Sequence, residues 1–187
     1  MKDKRKNVIL VIGASGVGKT TVCKFLTEQS ISIKFKHIDL DDYFRRFKKM
    51  KVTEYFVKVG YKRFWEESYR YIKRHYDRHI ARNKVDSETT LLIDIGAGSI
   101  FDHKSIRLTD EFFTLLLTAD PEYLFEREKC KNNHKELGYF KFMEFSRERE
   151  NLYKNCDIKV DVSYLDVKQV ADVVYNKIWN FKRGQFY

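Results

Sequence analysis

The glycine-rich octet Gly13, Ala14, Ser15, Gly16, Val17, Gly18, Lys19, Thr20 constrains this chain more than any other stretch. It fits G-x-x-x-x-G-K-[ST] at every fixed position. An apolar run from Val8 to Ile12 leads into it, and Thr21 to Glu28 follows as a potential helix. Strand, tight loop and helix in that order belong to an α/β sheet that binds ligands at the carboxyl ends of its strands. The composition follows from the task. A phosphate chain held in an anion nest touches backbone N–H groups directly, so side chains there must be small, and glycine reaches the dihedrals required. The helix beyond adds unpaired N–H groups and the positive end of its dipole. On this reading Gly13 through Thr21 hold a nucleoside triphosphate, with ATP the expected donor. Lys19 bridges the terminal phosphates and the Thr20 hydroxyl coordinates Mg²⁺. A glycine turn with an unrelated lysine is the bland alternative, and the full match in this context argues against it.

The rest of the chain supplies the sheet that such a loop needs. Apolar runs at Val8–Ile12, Thr90–Ile95 and Phe112–Leu117 read as buried strands, and the more alternating Lys34–Ile38 and Asp157–Val162 as outer ones. One helical stripe runs through Tyr61, Phe64, Trp65, Ser68, Ile72, Tyr76 and Ile80, and a second through Val167, Val170, Ala171, Val174, Ile178 and Phe181. Short strands alternating with long helices imply a parallel sheet covered on both faces. At 187 residues, with one proline and no linker or repeat, the chain reads as a single domain, 1–187. No apolar run approaches a membrane span, so no membrane partner is expected. Three widely spaced cysteines, Cys23, Cys130 and Cys156, suit reduced thiols in a cytoplasm. The formal charge of +10 is concentrated: residues 44–84 hold 14 Lys/Arg against 4 Asp/Glu, which equals the whole excess. That segment can attract an anionic substrate or nucleic acid, or it can be a solvated helical face. His75 and His79 stand four apart, a spacing able to hold zinc, but without a companion cysteine or an HExxH pattern.

Past the second strand comes His37, Ile38, Asp39, Leu40, Asp41, Asp42. Asp39 can hold Mg²⁺ beside Thr20, and Asp41 can take the proton of an acceptor hydroxyl. Helix capping explains the same acids: Asp41 or Asp42 would simply start a helix over Tyr43–Lys49. The order of further blocks resembles the shikimate kinases. That family shows D-x-D after the second strand, then F-R-x-x-E, G-G-G after the third strand, and R-x-P-L-Y. Here the corresponding residues are Asp39 and Asp41, Arg63 to Glu66, Gly96-Ala97-Gly98, and Arg149 to Tyr153. The resemblance runs from Val8 to Val162. It implies a three-layer P-loop kinase fold with a five-stranded parallel sheet, an acceptor-binding helical segment at about 43–82 and a lid at about 129–142. It implies an ATP-dependent kinase that phosphorylates a hydroxyl of shikimate or a related cyclitol or polyol acid, in the cytoplasm and as a monomer. By the same resemblance Asp39 is the magnesium-associated aspartate and Asp41 binds the acceptor and serves as base. Arg63 and Arg149 clamp its carboxylate, Gly96, Ala97 and Gly98 meet its ring, and Arg127 packs on adenine. Two arginines suit a planar carboxylate, although Glu66 can pair with Arg63, and Glu148 or Glu150 with Arg149.

The departures cluster in the lid and on the acceptor side. The family's lid arginine is missing from "CKNNHKELGY", leaving Lys131, His134 or Lys135 to supply the charge. Ala97 adds a methyl where backbone should meet a ligand, Tyr61 and Asn151 replace a glutamate and a proline, and Asp94 lies two residues before the glycine triplet. Asp94 is equally a metal or acceptor group and a plain strand-end acid. Two other readings stay open: a kinase for nucleic-acid 5′-hydroxyls, suggested by the basic segment, and a non-catalytic nucleotide sensor, suggested by the missing lid arginine.

Overall fold

The run Val8–Gly13 is buried at every position and forms β1, the middle strand of a parallel sheet in the computed structural model, which describes residues 7–29, 32–82, 89–96, 111–130 and 156–184. β1 leads through the glycine loop into α1 (Lys19–Glu28), then β2 (Lys34–Asp39) and a single turn, α2 (Leu40–Tyr43). A π-helical segment, Phe44–Lys48, joins α2 to the long α3 (Val52–Arg82). After them come β3 (Thr89–Asp94), β4 (Phe113–Thr118), α4 (Pro121–Cys130), β5 (Ile158–Asp161) and α5 (Val167–Lys182). The strand order is β2-β3-β1-β4-β5, parallel throughout. The two alternating stretches are thus the outer strands, as their pattern predicts. The three continuous apolar runs lie inside, where both faces are covered.

Two cores sandwich the sheet. On one face α1 and α5 bury Val22, Leu26, Val170 and Val174 against Ile9, Val11 and Leu115. On the other, Phe44, Phe64 and Ile72 pack on Leu10, Ile12 and Ile93. Phe44 and Phe64 are almost wholly buried and stack with ring centres 5.0 Å apart. Such a pair adds about 0.5–1.5 kcal/mol beyond its area term. Both helical stripes seen in the sequence face these cores, with Phe64, Ser68 and Ile72 buried in one and Val170, Ala171, Val174 and Ile178 in the other. Cys23 is part of the core around α1. Polar side chains mark element ends. Asp166 and Gln169 form a reciprocal capping box at α5. Asp120 receives the N–H groups of Glu122 and Tyr123 at α4.

The region after β2 departs from the sequence expectation. A regular helix over Tyr43–Lys49 does not form. The α turn ends at Tyr43, the π-helical segment follows, and Lys49 closes it in the left-handed region at φ 55°. The cap is Asp39, not Asp41 or Asp42: its Oδ1 accepts from the N–H groups of Asp41 (2.8 Å) and Asp42 (3.3 Å). α3 is broken at Gly60 (φ 75°, ψ 165°), a conformation that suits glycine, so its 31 residues form two helical pieces. Strand limits shift by one residue, as element ends commonly do. Ala97, Gly98, Arg149, Asn151 and the segment 131–142 lie outside the described residues.

Candidate active site

Between β3 and β4 the sheet reverses its winding direction at β1, and ligands bind in the crevice that opens there at the carboxyl ends. The glycine loop fills that place. Gly13 has φ 146°, and a Cβ on it would lie 2.3 Å from the carbonyl oxygen of Leu117 in β4, so the loop can leave the sheet only through a glycine. Gly16 and Gly18 also take positive φ, 75° and 103°. Val17, 1% exposed, anchors the loop in the core, while Ser15 points to solvent. Ala14 is half-buried and packs on the same core. Gly18 caps α1 without any side-chain hydrogen bond, and the N-terminus of a helix favours negative charge. Lys19 is buried and curls back over the loop, its Nζ donating to the carbonyls of Gly13 (3.1 Å) and Ala14 (3.0 Å). Thr21, next on α1, is exposed.

Three carboxylates stand beside this loop. Asp39 and Asp94 are direct partners in the β2–β3 register, so both end at the same level of the sheet. Asp94 is 2% exposed, and its Oδ2 accepts the Thr20 hydroxyl at 2.5 Å. Burial pushes its pKa up, while Lys19 and the Thr20 hydroxyl pull it down. Sequence reasoning named Asp94 without choosing a role for it. The register of the two strands carries the missing signal, because it sets Asp94 against Asp39. Asp41 sits at the mouth of the crevice. Its surface stays open to water, yet the protein around it removes enough hydration to raise its pKa to about 6, with Asp39 and Asp94 adding to the rise and Lys19 opposing it. Its carboxylate lies against Gly96: a Cβ there would fall 2.3 Å from Asp41 Oδ1. The absence of a side chain at Gly96 is therefore what lets Asp41 occupy this position.

The structure brings Lys19, Thr20, Asp39, Asp41, Asp94 and Gly96 into one cluster linked by these contacts and charges. Arg63 and Arg127 are engaged elsewhere. Arg63 is largely exposed and pairs with Glu67 (3.4 Å), not Glu66, which pairs with Arg70 (3.8 Å). Glu67 also holds Lys48 at 2.6 Å. Arg127 donates to the Tyr123 hydroxyl (3.2 Å) and lies 5.3 Å over that ring. The two histidines of the aromatic helix also have other surroundings: His79 contacts the Thr89 carbonyl (3.1 Å) and His75 packs on Tyr71.

Comparison with known proteins agrees with this geometry. The family model described as shikimate kinase matches residues 15–179. A shikimate kinase of Thermodesulfovibrio yellowstonii is 25% identical over 185 residues, which cover 96% of this chain and 99% of that protein. Among solved structures, the shikimate kinase of Bacteroides thetaiotaomicron superposes with a TM-score of 0.67 at 20% identity, covering 92% of this chain and 98% of the other. The shikimate kinase of Acinetobacter baumannii, solved in complex with shikimate, gives the same TM-score and identity over 94% of each chain. These two superpositions speak for the fold: three layers around a five-stranded parallel sheet.

Proposed function

The chain belongs to the shikimate kinase family, ATP-dependent kinases with an alcohol acceptor, and from that premise we propose that the cluster around Asp41 passes the γ-phosphoryl group of ATP to a hydroxyl of shikimate or a closely related cyclitol acid. The observation that carries this reading is the contact between Asp41 and Gly96 beside the phosphate loop. It sets a carboxylate of raised pKa at the open mouth of the crevice, where an acceptor hydroxyl can reach it. The loop from Gly13 to Thr21 holds the triphosphate through its N–H groups. Lys19 exchanges the carbonyls of Gly13 and Ala14 for phosphate oxygens and stays with the charge as it moves. Asp41 orients the acceptor oxygen in line with the phosphorus and accepts its proton as the O–P bond forms, while the bond to ADP breaks.

The donor set fits Mg²⁺, a hard cation that takes oxygen ligands: the Thr20 hydroxyl with the carboxylates of Asp39 and Asp94. When bound it neutralises charge on the β- and γ-phosphates. Asp94 accepts the Thr20 proton, which leaves the lone pairs of that hydroxyl free. Asp39 keeps one oxygen on the α2 cap, so its second oxygen is the one available. Arg63 is assigned to the acceptor carboxylate. Its ion pair with Glu67 is exposed and of the kind worth only about 0–1 kcal/mol, a small barrier to exchange. Arg149, with Ala97 and Gly98 along the acceptor ring, completes the site by resemblance, as does Arg127 for adenine. Residues 1–187 are read as one kinase domain, with about 43–82 binding the acceptor and about 129–142 as lid. A monomer in the cytoplasm fits the free thiols of Cys23 and Cys156. No helix among the described residues is long and apolar enough to cross a membrane. The oligonucleotide-kinase and non-catalytic readings are not favoured, since the family match runs through donor and acceptor segments alike.

The test is an ADP-coupled assay across shikimate, other cyclitols and 5′-hydroxyl oligonucleotides. Turnover with shikimate is expected, and turnover with oligonucleotides alone would overturn the reading. Asp41→Asn should lower kcat by about 10²–10⁴-fold without changing the affinity for an ATP analogue. Retained activity would remove Asp41 from the mechanism.

A further inference from the structure

After Asp77, α3 carries two arginines and no acid. Three earlier cations of that helix pair with acids at i,i+4: Arg63 with Glu67, Arg70 with Glu66, and Lys73 with Asp77 (3.2 Å). Arg78 and Arg82, four residues apart, form no ion pair among the described residues, and neither does Lys36 on the facing strand. These three surround a cleft of about 570 Å³ between α3 and β2, with His37 and His75 also on its wall. No carboxylate among the described residues lines it. Among the described residues β2 is the outermost strand of the sheet, and the cleft runs along that edge.

We propose that this cleft is a second ligand site, which binds a small polyanion carrying two or more phosphate or carboxylate groups. The helix dipole explains a cation in the last turn of α3, but not Lys36 opposite it on another element, nor the hollow between them. Guanidinium groups spaced one turn apart offer forked donors to separate oxyanions, and Lys36 closes the third side. The neighbouring charges match. Arg78 and Arg74 act on His75, and Lys36 and Lys182 on His79, so burial and cations together lower the pKa of both rings. The volume lies within the range of small-molecule sites and is too confined for a duplex. The cations of the cleft stand away from the phosphate loop. Lys36 precedes Asp39 by three strand residues, roughly 10 Å. Thr27, on the cleft wall, follows Thr20 by seven helix residues, also roughly 10 Å.

Titration calorimetry on protein saturated with a non-hydrolysable ATP analogue, at constant ionic strength and free Mg²⁺, tests the site apart from the kinase reading. Tripolyphosphate in one arm and citrate in the other identify the preferred oxyanion. At least one should bind with a Kd below about 1 mM. Arg78→Ala with Arg82→Ala should weaken that binding about tenfold or more, and Lys36→Ala by a similar factor. All three residues are exposed, so the variants should keep the wild-type melting curve. The proposal is overturned if neither anion binds, if the arginine substitutions leave affinity unchanged, or if a single-stranded oligonucleotide binds through the same residues more tightly than tripolyphosphate.

Discussion

The phosphate loop and the side proposed to take the acceptor are held in place by different means. On the donor side the main chain sets the geometry: Gly13 against the Leu117 carbonyl, Val17 sunk in the core, and Lys19 folded onto two loop carbonyls. On the side proposed for the acceptor, side chains and irregular backbone set it. Asp39 caps a single turn, a π-helical segment follows, α3 is broken at Gly60, and Arg63 rests on an exposed ion pair. The difference bears on substrate choice. A donor site built from backbone tolerates only changes that keep its dihedrals, whereas an acceptor site built from exposed side chains can change its ligand without disturbing the sheet. The departures from the family pattern read in the sequence fall in the lid and on that second side.

The largest test of this contrast is Gly96→Ala. Gly96 is the point where backbone does govern the acceptor side, because the added methyl must displace the Asp41 carboxylate. A loss of about 10- to 100-fold in kcat is expected, with ATP-analogue affinity unchanged. An unaltered kcat would mean that the position of Asp41 tolerates movement. Next, Asp94→Asn should raise the Mg²⁺ concentration for half-maximal nucleotide binding by about tenfold, read by fluorescent-nucleotide titration. An unchanged requirement would leave Asp94 outside the donor side. The smallest effect belongs to a residue on neither side. Lys182 Nζ donates to the Thr90 hydroxyl, and burial lowers its pKa from 10.5 to about 8. Between those values the folded protein binds fewer protons than the unfolded chain. The stability this contributes is therefore complete above pH 10.5 and lost as pH falls through about 8. Lys182→Met should raise Tm by about 2–4 °C at pH 7, and the gain should shrink as pH rises toward 10.5. A gain independent of pH would trace the effect to packing instead of charge.

How much of this was legible in the chain follows the same division. The loop at 13–20 could be read because an anion nest demands glycine at fixed places, and the strands because burial on both faces leaves continuous apolar runs. The turn after β2 could not. Asp39, Asp41 and Asp42 are all good caps, and only the end of β2 decides among them. Pairing of Arg63 with Glu67 instead of Glu66 is a choice between three- and four-residue steps, which the sequence leaves balanced. Asp94 needed tertiary information, since its partners come from α1 and β2, 74 and 55 positions away in the chain.

The pairing of β2 with β3 carries a further burden. Successive strand residues face opposite ways, so a slip of one position would turn Asp39 away from Asp94 and take the α2 turn with it. Among the described residues β2 has a neighbouring strand on one side only. Correct alignment of the least-supported strand is thus a condition for assembling the phosphoryl-transfer chemistry at all, and a misaligned chain could be compact, well packed and inert.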